Sequence, residues 1–584
     1  MRVTSTPMGP SRWRSGLAAD VLVCTGYVLL AVWLTAGLWR DPDTRTLALN
    51  PADQTLVEWF LAYGGRFWQG DFALLNDRLN APDGINMLTN AATVGLGALF
   101  APITLIFGAP TTFTVIMGLN LAATAAGWYL LMVKTFGASR PAAAIGAAFC
   151  GFAPGMISQA NSHLHMTAQW LVPPMLWCVV TLARAATEQF SGWRLVTTGA
   201  FFGLLVAAQV FIGEETLFLL AFTLVIVTLI YLMMVRPPWI HVARFAGGLA
   251  VAVAVAIPLL IYPLWMQFKG PQSVPNGVFS PDYFIADLAS FVAFSPLSLG
   301  GSPENAKLST GPSEYNTFLG WPLVLLILGI GIWLRRQAIA VACFATALTM
   351  AALSLGPKVV IEREPTSFAG PYVFLKGVPV IDGALPMRFA LAMIPLIAIL
   401  LVLAWDQAAQ SYHRWLRFGV PALIAVALVP LIPTPLPTTD RPAVPSFYAD
   451  GHWRECAGDG EVIVPVPLAT PPDPEPMRYA TATGVAFGMP EGFFIGPYGR
   501  NGRATVGTWK FPTSVVLSEV AKTGKVPVVD DRMRAQARAD LARWKASCVA
   551  LTKHSQEAAL RRTLEALLGP GRPVADAIIW TIPD

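Results

Sequence analysis

Recurring apolar runs restrict this chain more than any other feature. Runs of about 18 or more residues return along its first three-quarters, each long enough to cross roughly 30 Å of hydrocarbon as a helix. They fall near 19–38, 93–108, 112–133, 141–158, 166–183, 195–213, 216–235, 245–266, 318–334, 337–355, 389–409 and 418–433. Beyond about residue 440 the sequence becomes that of an ordinary soluble domain. Hydrophobic residues make up 54% and charged residues 13%, well off the balance of soluble proteins. The chain therefore reads as a polytopic α-helical membrane protein. Its net charge of +5 is small and points to no nucleic-acid partner. The basic stretch 1–18 precedes the run 19–38, and no small-residue cleavage site follows that run. It reads as a retained first helix, not a cleaved signal.

The run 93–108, TVGLGALFAPITLIFG, decides the topology, because it is short and carries Pro102. If it crosses the bilayer, Lys134, Arg140, Arg184, Arg194, Arg236, Arg244, Arg335, Arg336, Arg414 and Arg417 all lie outside. If it lies along the outer interface, or dips in and returns, all of them face the cytoplasm with Arg2, Arg12 and Arg14. The positive-inside rule selects the second arrangement. Twelve runs less this one leave eleven spans, with the N-terminus inside and the C-terminal region outside. The expected divisions are a basic tail 1–18, a membrane domain 19–433 and an extracytoplasmic domain 434–584.

This arrangement sends nearly every unusual polar segment outward: the loop 39–92, the turn 159–165, the turn Gly213-Glu214-Glu215, the loop 267–317, the loop 356–388 and everything after 433. In the tail, Glu461-VIVPVPL, Ser547-CVALTKH and Ala577-IIWTI read as strands, while 513–523, 531–545 and 555–568 read as helices. That is an α/β domain of about 140 residues. Cys24, Cys150, Cys178 and Cys343 fall in apolar runs, as small packing residues do. Cys456 and Cys548 follow the last run, in an oxidising compartment on this topology, next to two of the predicted strands. If those strands are neighbours in one sheet, the two cysteines approach from the same end and can bridge. No Cys/His spacing reads as a zinc site.

The first outer loop carries Asp53 in Asn50-Pro-Ala-Asp-Gln-Thr-Leu-Val-Glu-Trp-Phe. A plain helix start explains these residues: Asn50 as cap, Pro51 at the first position, Asp53 at the positive end of the dipole. A carboxylate held there, just above the bilayer, is also well placed as a base. Asp41, Asp43 and Glu58 are weaker candidates for a second acid. His163 and His165 share one outer turn, open to hydrogen-bonded packing, phosphate contact or metal binding. Glu214 and Glu215 end a span with no cation nearby in sequence, where an acid is costly. Arg388 stands at the outer end of a late span, where interfacial anchoring is the simple alternative. The long loop 267–317, with Lys269, Tyr283, Lys307 and Tyr315 among Pro and Gly, is expected to be either functional or disordered.

Asp53-Gln54 followed by Trp59-Phe60, Gly70, Asn76, Pro82-Asp-Gly84 and Asn86 resembles the first extracytoplasmic loop of bacterial GT-C glycosyltransferases. The likeness continues through His163, Glu214 and Glu215, and Leu385-Pro-Met-Arg-Phe389, and covers about residues 19–410. It implies a bacterial plasma-membrane enzyme that takes a polyprenyl-phosphate-linked sugar. The acceptor would be an extracytoplasmic cell-envelope glycan or glycolipid, and membrane lipids are its other contacts. It implies Asp53 as general base, and His163, His165, Glu214, Glu215, Arg388 and Asn86 as donor-phosphate or substrate contacts. The loop 267–317 would cover the donor and order when lipid binds. Gln54 departs from the paired-acid pattern of some members, which leaves a divalent metal open. A transporter or flippase of lipid-linked sugars is the rival class, but it calls for inverted repeats and mid-membrane polar breaks, which this sequence lacks. A catalytically inactive envelope-assembly partner is a third reading.

The topology is checked by thiol labelling in intact cells. Cysteines introduced at Ser139 and Arg336 are expected to stay shielded from an impermeant reagent, and one at Gly277 to react. Labelling at Ser139 from outside means that 93–108 spans.

Overall fold

In a computed structural model of the chain, residues 10–91, 93–188, 192–378 and 381–583 are described, so half of the expected basic tail 1–18 lies outside them. Among the described residues, nine helices are long and apolar enough to cross a membrane: Gly16–Leu34, Val94–Phe136, Arg140–Gln159, Leu164–Thr187, Gly192–Val210, Glu214–Val235, Trp239–Lys269, Pro386–Ala409 and Arg414–Leu431. Two shorter apolar helices, Trp321–Trp333 and Ala338–Ser354, stand where 318–334 and 337–355 are expected to span. The protein is a multi-pass membrane protein. Within Val94–Leu131 the backbone leaves the helix at Gly108, with φ 81° and ψ 162°. Only glycine takes that φ without strain, and Pro110 withdraws a helical N–H two residues on. A backbone break therefore separates 93–108 from the run that follows.

The chain divides into two compact units, one of residues 1–37, 117–256 and 280–436, the other of 38–116, 257–279 and 437–584. In the first, helix Pro386–Ala409 is the most buried of the long helices and packs on Arg140–Phe152 and Ala338–Ser354. Small residues allow the close approaches. A Cβ on Gly199 or Gly203 would run into the carbonyl of Gly248 or Ala252. Helix Glu214–Val235 leaves most of its apolar surface outward, as lipid contact requires.

The loop 280–317 is not structureless, contrary to one branch of the expectation. It folds into short 3-10 turns at Leu288–Phe291, Pro303–Leu308 and Pro312–Glu314. Asp287 caps the first by accepting from Ala289 N, and also accepts from Glu362 N and Arg363 N in the hairpin Lys358–Ile361/Glu364–Ala369. The segment 312–316 is fastened at Ser158, whose hydroxyl donates to Pro312 O and accepts from Tyr315 N, both at 2.7 Å.

The second unit is built on a four-stranded sheet in the order Arg572–Val574, Ala577–Thr581, Ala546–Thr552, Val462–Val466. The last two strands run parallel and the other neighbours antiparallel. Helices Pro512–Thr523, Asp531–Trp544 and Glu557–Leu568 pack Leu517, Val520, Leu541, Trp544, Leu560 and Leu564 onto Val464, Val549, Leu551 and Trp580 of the sheet. The C-terminal α/β region follows the sequence pattern closely. The pattern does not show that the loop 39–92 is part of the same unit. Strand Arg45–Leu47 pairs antiparallel with Thr438–Asp440, and helix Pro51–Gly65 packs on Glu475–Ala482. Arg66 and Arg78 extend the join: Arg66 donates to Gly484 O and Val485 O, Arg78 to Ala486 O, and both reach Asp71 and Asp459.

Cys456 and Cys548 are bridged, with Cα atoms 5.6 Å apart and a sequence separation of 92. The parallel register that sets Cys548 opposite Ile463 explains the approach, and it is the neighbour-strand arrangement on which the expectation depended. Replacing both with serine is expected to cost about 2–5 kcal/mol, read as a lower denaturation midpoint in detergent. A non-reduced digest should yield one linked peptide pair. Free alkylatable thiols at both positions, in protein purified without reductant, contradict the bridge.

Candidate functional site

In the second unit Asp53 occupies the first turn of helix Pro51–Gly65. Asn50 precedes the helix, but its side chain makes no capping bond; its Nδ2 donates instead to Asp53 Oδ2 at 2.7 Å. Asp53 is half-buried, and Asn50 helps to hold its carboxylate in place. The neighbouring acids fare differently. Gln54 accepts from Leu47 N at 2.8 Å and Thr46 Oγ1 at 3.1 Å, and donates to Glu58 Oε1 at 2.7 Å. Glu58 Oε2 accepts from Arg441 Nη1 at 2.8 Å, in a pair whose side chains are 1% and 5% exposed. Glu58 is thus half of a structural ion pair rather than a spare acid, which corrects that candidate. Asp41 closes a turn by accepting from the N–H groups of Asp43 and Thr44, and hydrogen bonding from Thr44 holds its carboxyl below the usual range. Burial, with Asp41 nearby, pushes the Asp43 carboxyl up, while the Asp43 carbonyl accepts from Arg441 and Arg478.

Asn86 is fully buried. Its Nδ2 donates to Met266 O at 2.7 Å and Pro271 O at 3.0 Å, and its Oδ1 accepts from Leu88 N at 3.1 Å. Those bonds engage both amide hydrogens in holding backbone together. Asn86 thus ties backbone segments of the second unit to one another.

In the first unit a polar chain runs through buried surroundings. Arg388 sits in the 3-10 turn Pro386–Ala392, 9% exposed. Its Nε and Nη2 donate to Glu314 Oε1 at 3.0 and 2.6 Å, and its Nη1 donates to Glu215 Oε2 at 2.6 Å. Asn316 donates to Glu314 Oε2 at 2.8 Å, and Gln159 donates to Asn316 Oδ1 at 2.9 Å. Gln159 Oε1 lies 2.8 Å from His163 Nδ1, and the His163 and His165 rings stand 5.5 Å apart. The structure thus gathers His163, His165, Glu215 and Arg388. Of the acid pair it is Glu215 that joins the arginine. Glu215 Oε1 and His165 Nδ1 are buried without a hydrogen-bond partner among the described residues.

Arg388 does not snorkel to headgroups, as an interfacial anchor does. Two carboxylates share its single charge, so the Glu215–Arg388–Glu314 group is formally negative by one. Glu314 was missed as a candidate. It stands with no cation between Lys307 and Arg335, the same signal that singles out Glu214 and Glu215, but it lies in a Pro/Gly-rich loop whose other residues drew attention.

No protein-family model matches the chain, and no curated protein matches it. Solved structures do. The arabinofuranosyltransferase AftD from Mycobacteria superposes over 100% of this chain and 40% of its own, with TM-score 0.53 and 15% identity. The chain has the GT-C fold. It spans well under half of AftD, so the likeness speaks for the fold alone. Two further structures match at lower scores. ArnT from Cupriavidus metallidurans bound to undecaprenyl phosphate has TM-score 0.46 and 12% identity over 98% of both chains. The archaeal oligosaccharyltransferase AglB from Archaeoglobus fulgidus, in complex with an inhibitory peptide and a dolichol-phosphate, has TM-score 0.46 and 12% identity over 91% of this chain and 69% of its own.

No three His, Cys, Asp or Glu side chains gather as a metal site among the described residues. Gln54 stands beside Asp53 where some members carry a second acid, and its amide is used in the scaffold. Asp53 and Gln54 thus supply one carboxylate at this point of the loop, not a pair.

Removing the charge of Arg388 leaves two buried carboxylates uncompensated. Arg388→Gln is expected to destabilise the protein by about 3–5 kcal/mol, read as a fall in the thermal unfolding midpoint in detergent. Arg388→Lys keeps the charge but loses the fork that reaches both acids, and is expected to fall between. An unchanged midpoint for Arg388→Gln contradicts the ion-pair account.

Proposed function

We propose that the protein is a membrane glycosyltransferase that moves a sugar from a polyprenyl-phosphate carrier to an extracytoplasmic glycan or glycolipid of the bacterial envelope, with Asp53 as general base. One observation carries this reading. In a chain with the GT-C fold, the loop 39–92 holds a half-buried carboxylate at Asp53 in the first turn of its helix, while Glu58 beside it is locked in an ion pair. The first-loop motif that resembles GT-C enzymes supplies the lipid-phosphate donor.

A sugar hydroxyl is a weak nucleophile near neutral pH, so a carboxylate in hydrogen-bond reach must accept its proton as the new bond forms. Asn50, donating to Asp53 Oδ2, helps to hold that carboxylate in place. In the first unit, Glu215 Oε1 and His165 Nδ1 are polar atoms with hydrogen-bonding capacity to spare, suited to sugar hydroxyls. His163 and Glu214 remain in the proposed contact set. The departing lipid phosphate needs a fixed cation. Arg388 can serve only by exchange, giving up the Nη1 bond to Glu215 while Glu314 keeps its grip on Nε and Nη2. The disulfide Cys456–Cys548 supports an oxidising, extracytoplasmic location for residues 437–584.

The test is Asp53→Asn in a transfer assay with purified protein and a polyprenyl-phosphate-linked sugar. The substitution preserves size and helix start, so the folded protein should survive. Turnover is expected to fall about a hundredfold or more. Near-normal turnover ends the assignment of Asp53.

A further inference from the structure

The hairpin Ile495–Tyr498/Arg503–Val506 has no part in the proposed reaction, and its surface is unusual. Tyr498 stacks on Trp509, centroids 5.3 Å apart and planes at 16°, yet Trp509 is 65% exposed. Arg500, Arg503 and Lys510 surround the pair and are exposed. None of the three is in an ion pair among the described residues, and no acid occurs between Glu491 and Glu519. Glu491 itself is buried against Ser514. The hairpin therefore offers a flat aromatic pair and three exposed cations, of which Lys510 lies within the field of the buried Glu491.

Its anchorage says what lies nearby. Ile495 N donates to Asn90 Oδ1 at 2.6 Å, and Asn90 Nδ2 donates back to Ile495 O at 3.0 Å. The same Nδ2 donates to Asn86 O, and Asn86 in turn holds Met266 O and Pro271 O. Met266 lies in the last turn of the membrane helix Trp239–Lys269, where Tyr262, Trp265 and Phe268 are at least half exposed. Aromatics with a terminal Lys269 mark the level at which a helix leaves hydrocarbon. Four residues after Asn90 begins the helical segment before Gly108, which exposes Leu99, Leu105, Ile106 and Phe107. Trp68, itself exposed, donates to Ala98 O at 2.8 Å along that segment. Two asparagines thus tie the hairpin to a stretch of chain whose exposed residues are those of a membrane boundary.

We propose that the hairpin 495–506, with Trp509 and Lys510, is a binding site for the anionic headgroups of bilayer phospholipids and seats the second unit on the membrane surface. Tyr and Trp side chains are stable at headgroup depth, where an apolar body and a polar edge are both satisfied. Unpaired Arg and Lys side chains beside them meet lipid phosphates. A saccharide stacked on Trp509 is the other conceivable occupant. Continuity with the aromatic end of the membrane helix, and cations that a neutral sugar does not need, favour the lipid.

The full-length protein is reconstituted in nanodiscs of phosphatidylcholine, alone or mixed with phosphatidylglycerol, with a spin label at Asn501→Cys on the hairpin tip. Val528→Cys, on a loop residue that is 93% exposed, is the reference. The Asn501 label is expected to be several-fold less accessible to an aqueous nickel chelate than the reference, and more so with phosphatidylglycerol. The triple change Arg500→Gln, Arg503→Gln, Lys510→Gln is expected to remove that lipid dependence and to lower several-fold the phosphatidylglycerol retained in native mass spectrometry. Equal accessibility at both labels in both lipids overturns the proposal. So does unchanged lipid retention in the triple variant. Loss of acceptor-glycan binding in Trp509→Ala, with the Asn501 label unmoved by phosphatidylglycerol, also overturns it and makes the hairpin a saccharide platform.

Discussion

The buried ion pair between Glu58 and Arg441 is what the second unit depends on. Burying two charges costs several kcal/mol for each ion, and only full hydrogen bonding offsets it. Here Glu58 also accepts from Gln54, while Arg441 also donates to Pro42 O and Asp43 O. Arg478 repeats the arrangement by donating to Asp43 O and Pro442 O. These bonds set the rotation of helix Pro51–Gly65. Gln54 and Glu58, four residues apart, share one face and turn it inward. Asp53 is thereby turned to the rim of that face and half-buried. Where the candidate base points is a consequence of a salt bridge it does not belong to.

The first unit solves the opposite problem. There the charges are unequal by design of the sequence: Glu215 and Glu314 converge on one guanidinium. Asn316 and Gln159 extend the network by neutral hydrogen bonds as far as His163. A network of this kind is rigid while complete and costly when a member is left unpaired. Its two unfilled positions, Glu215 Oε1 and His165 Nδ1, are where added hydrogen-bond donors or acceptors would meet least competition from the protein itself.

Much of this was legible in the sequence because it rests on periods and lengths. The apolar runs became helices at nearly the expected places, and the three predicted strands of the tail are Val462–Val466, Ala546–Thr552 and Ala577–Thr581. The bridge between Cys456 and Cys548 followed from their positions beside two of those strands. Pairings across hundreds of residues were not legible. Nothing near Glu58 announces Arg441, so a committed acid looked spare. The turn that carries Asn86 matches a motif, but nothing in it announces the bonds of its amide to Met266 and Pro271, far along the chain. Glu314 was passed over because loop residues carry no period to set them apart.

The distance in sequence between Glu58 and Arg441 also has a meaning in time. Arg441 follows Glu58 by 383 residues, and a chain made at about 5–20 residues per second needs roughly 20–80 s to cover that interval. During that interval the helix carrying the candidate base exists without the partner that orients it. Eight membrane helices are made in between, from Val94–Phe136 to Arg414–Leu431, apart from the two shorter ones. The segment that carries Asp53 is thus made early and cannot reach its final form until residue 441 has been added.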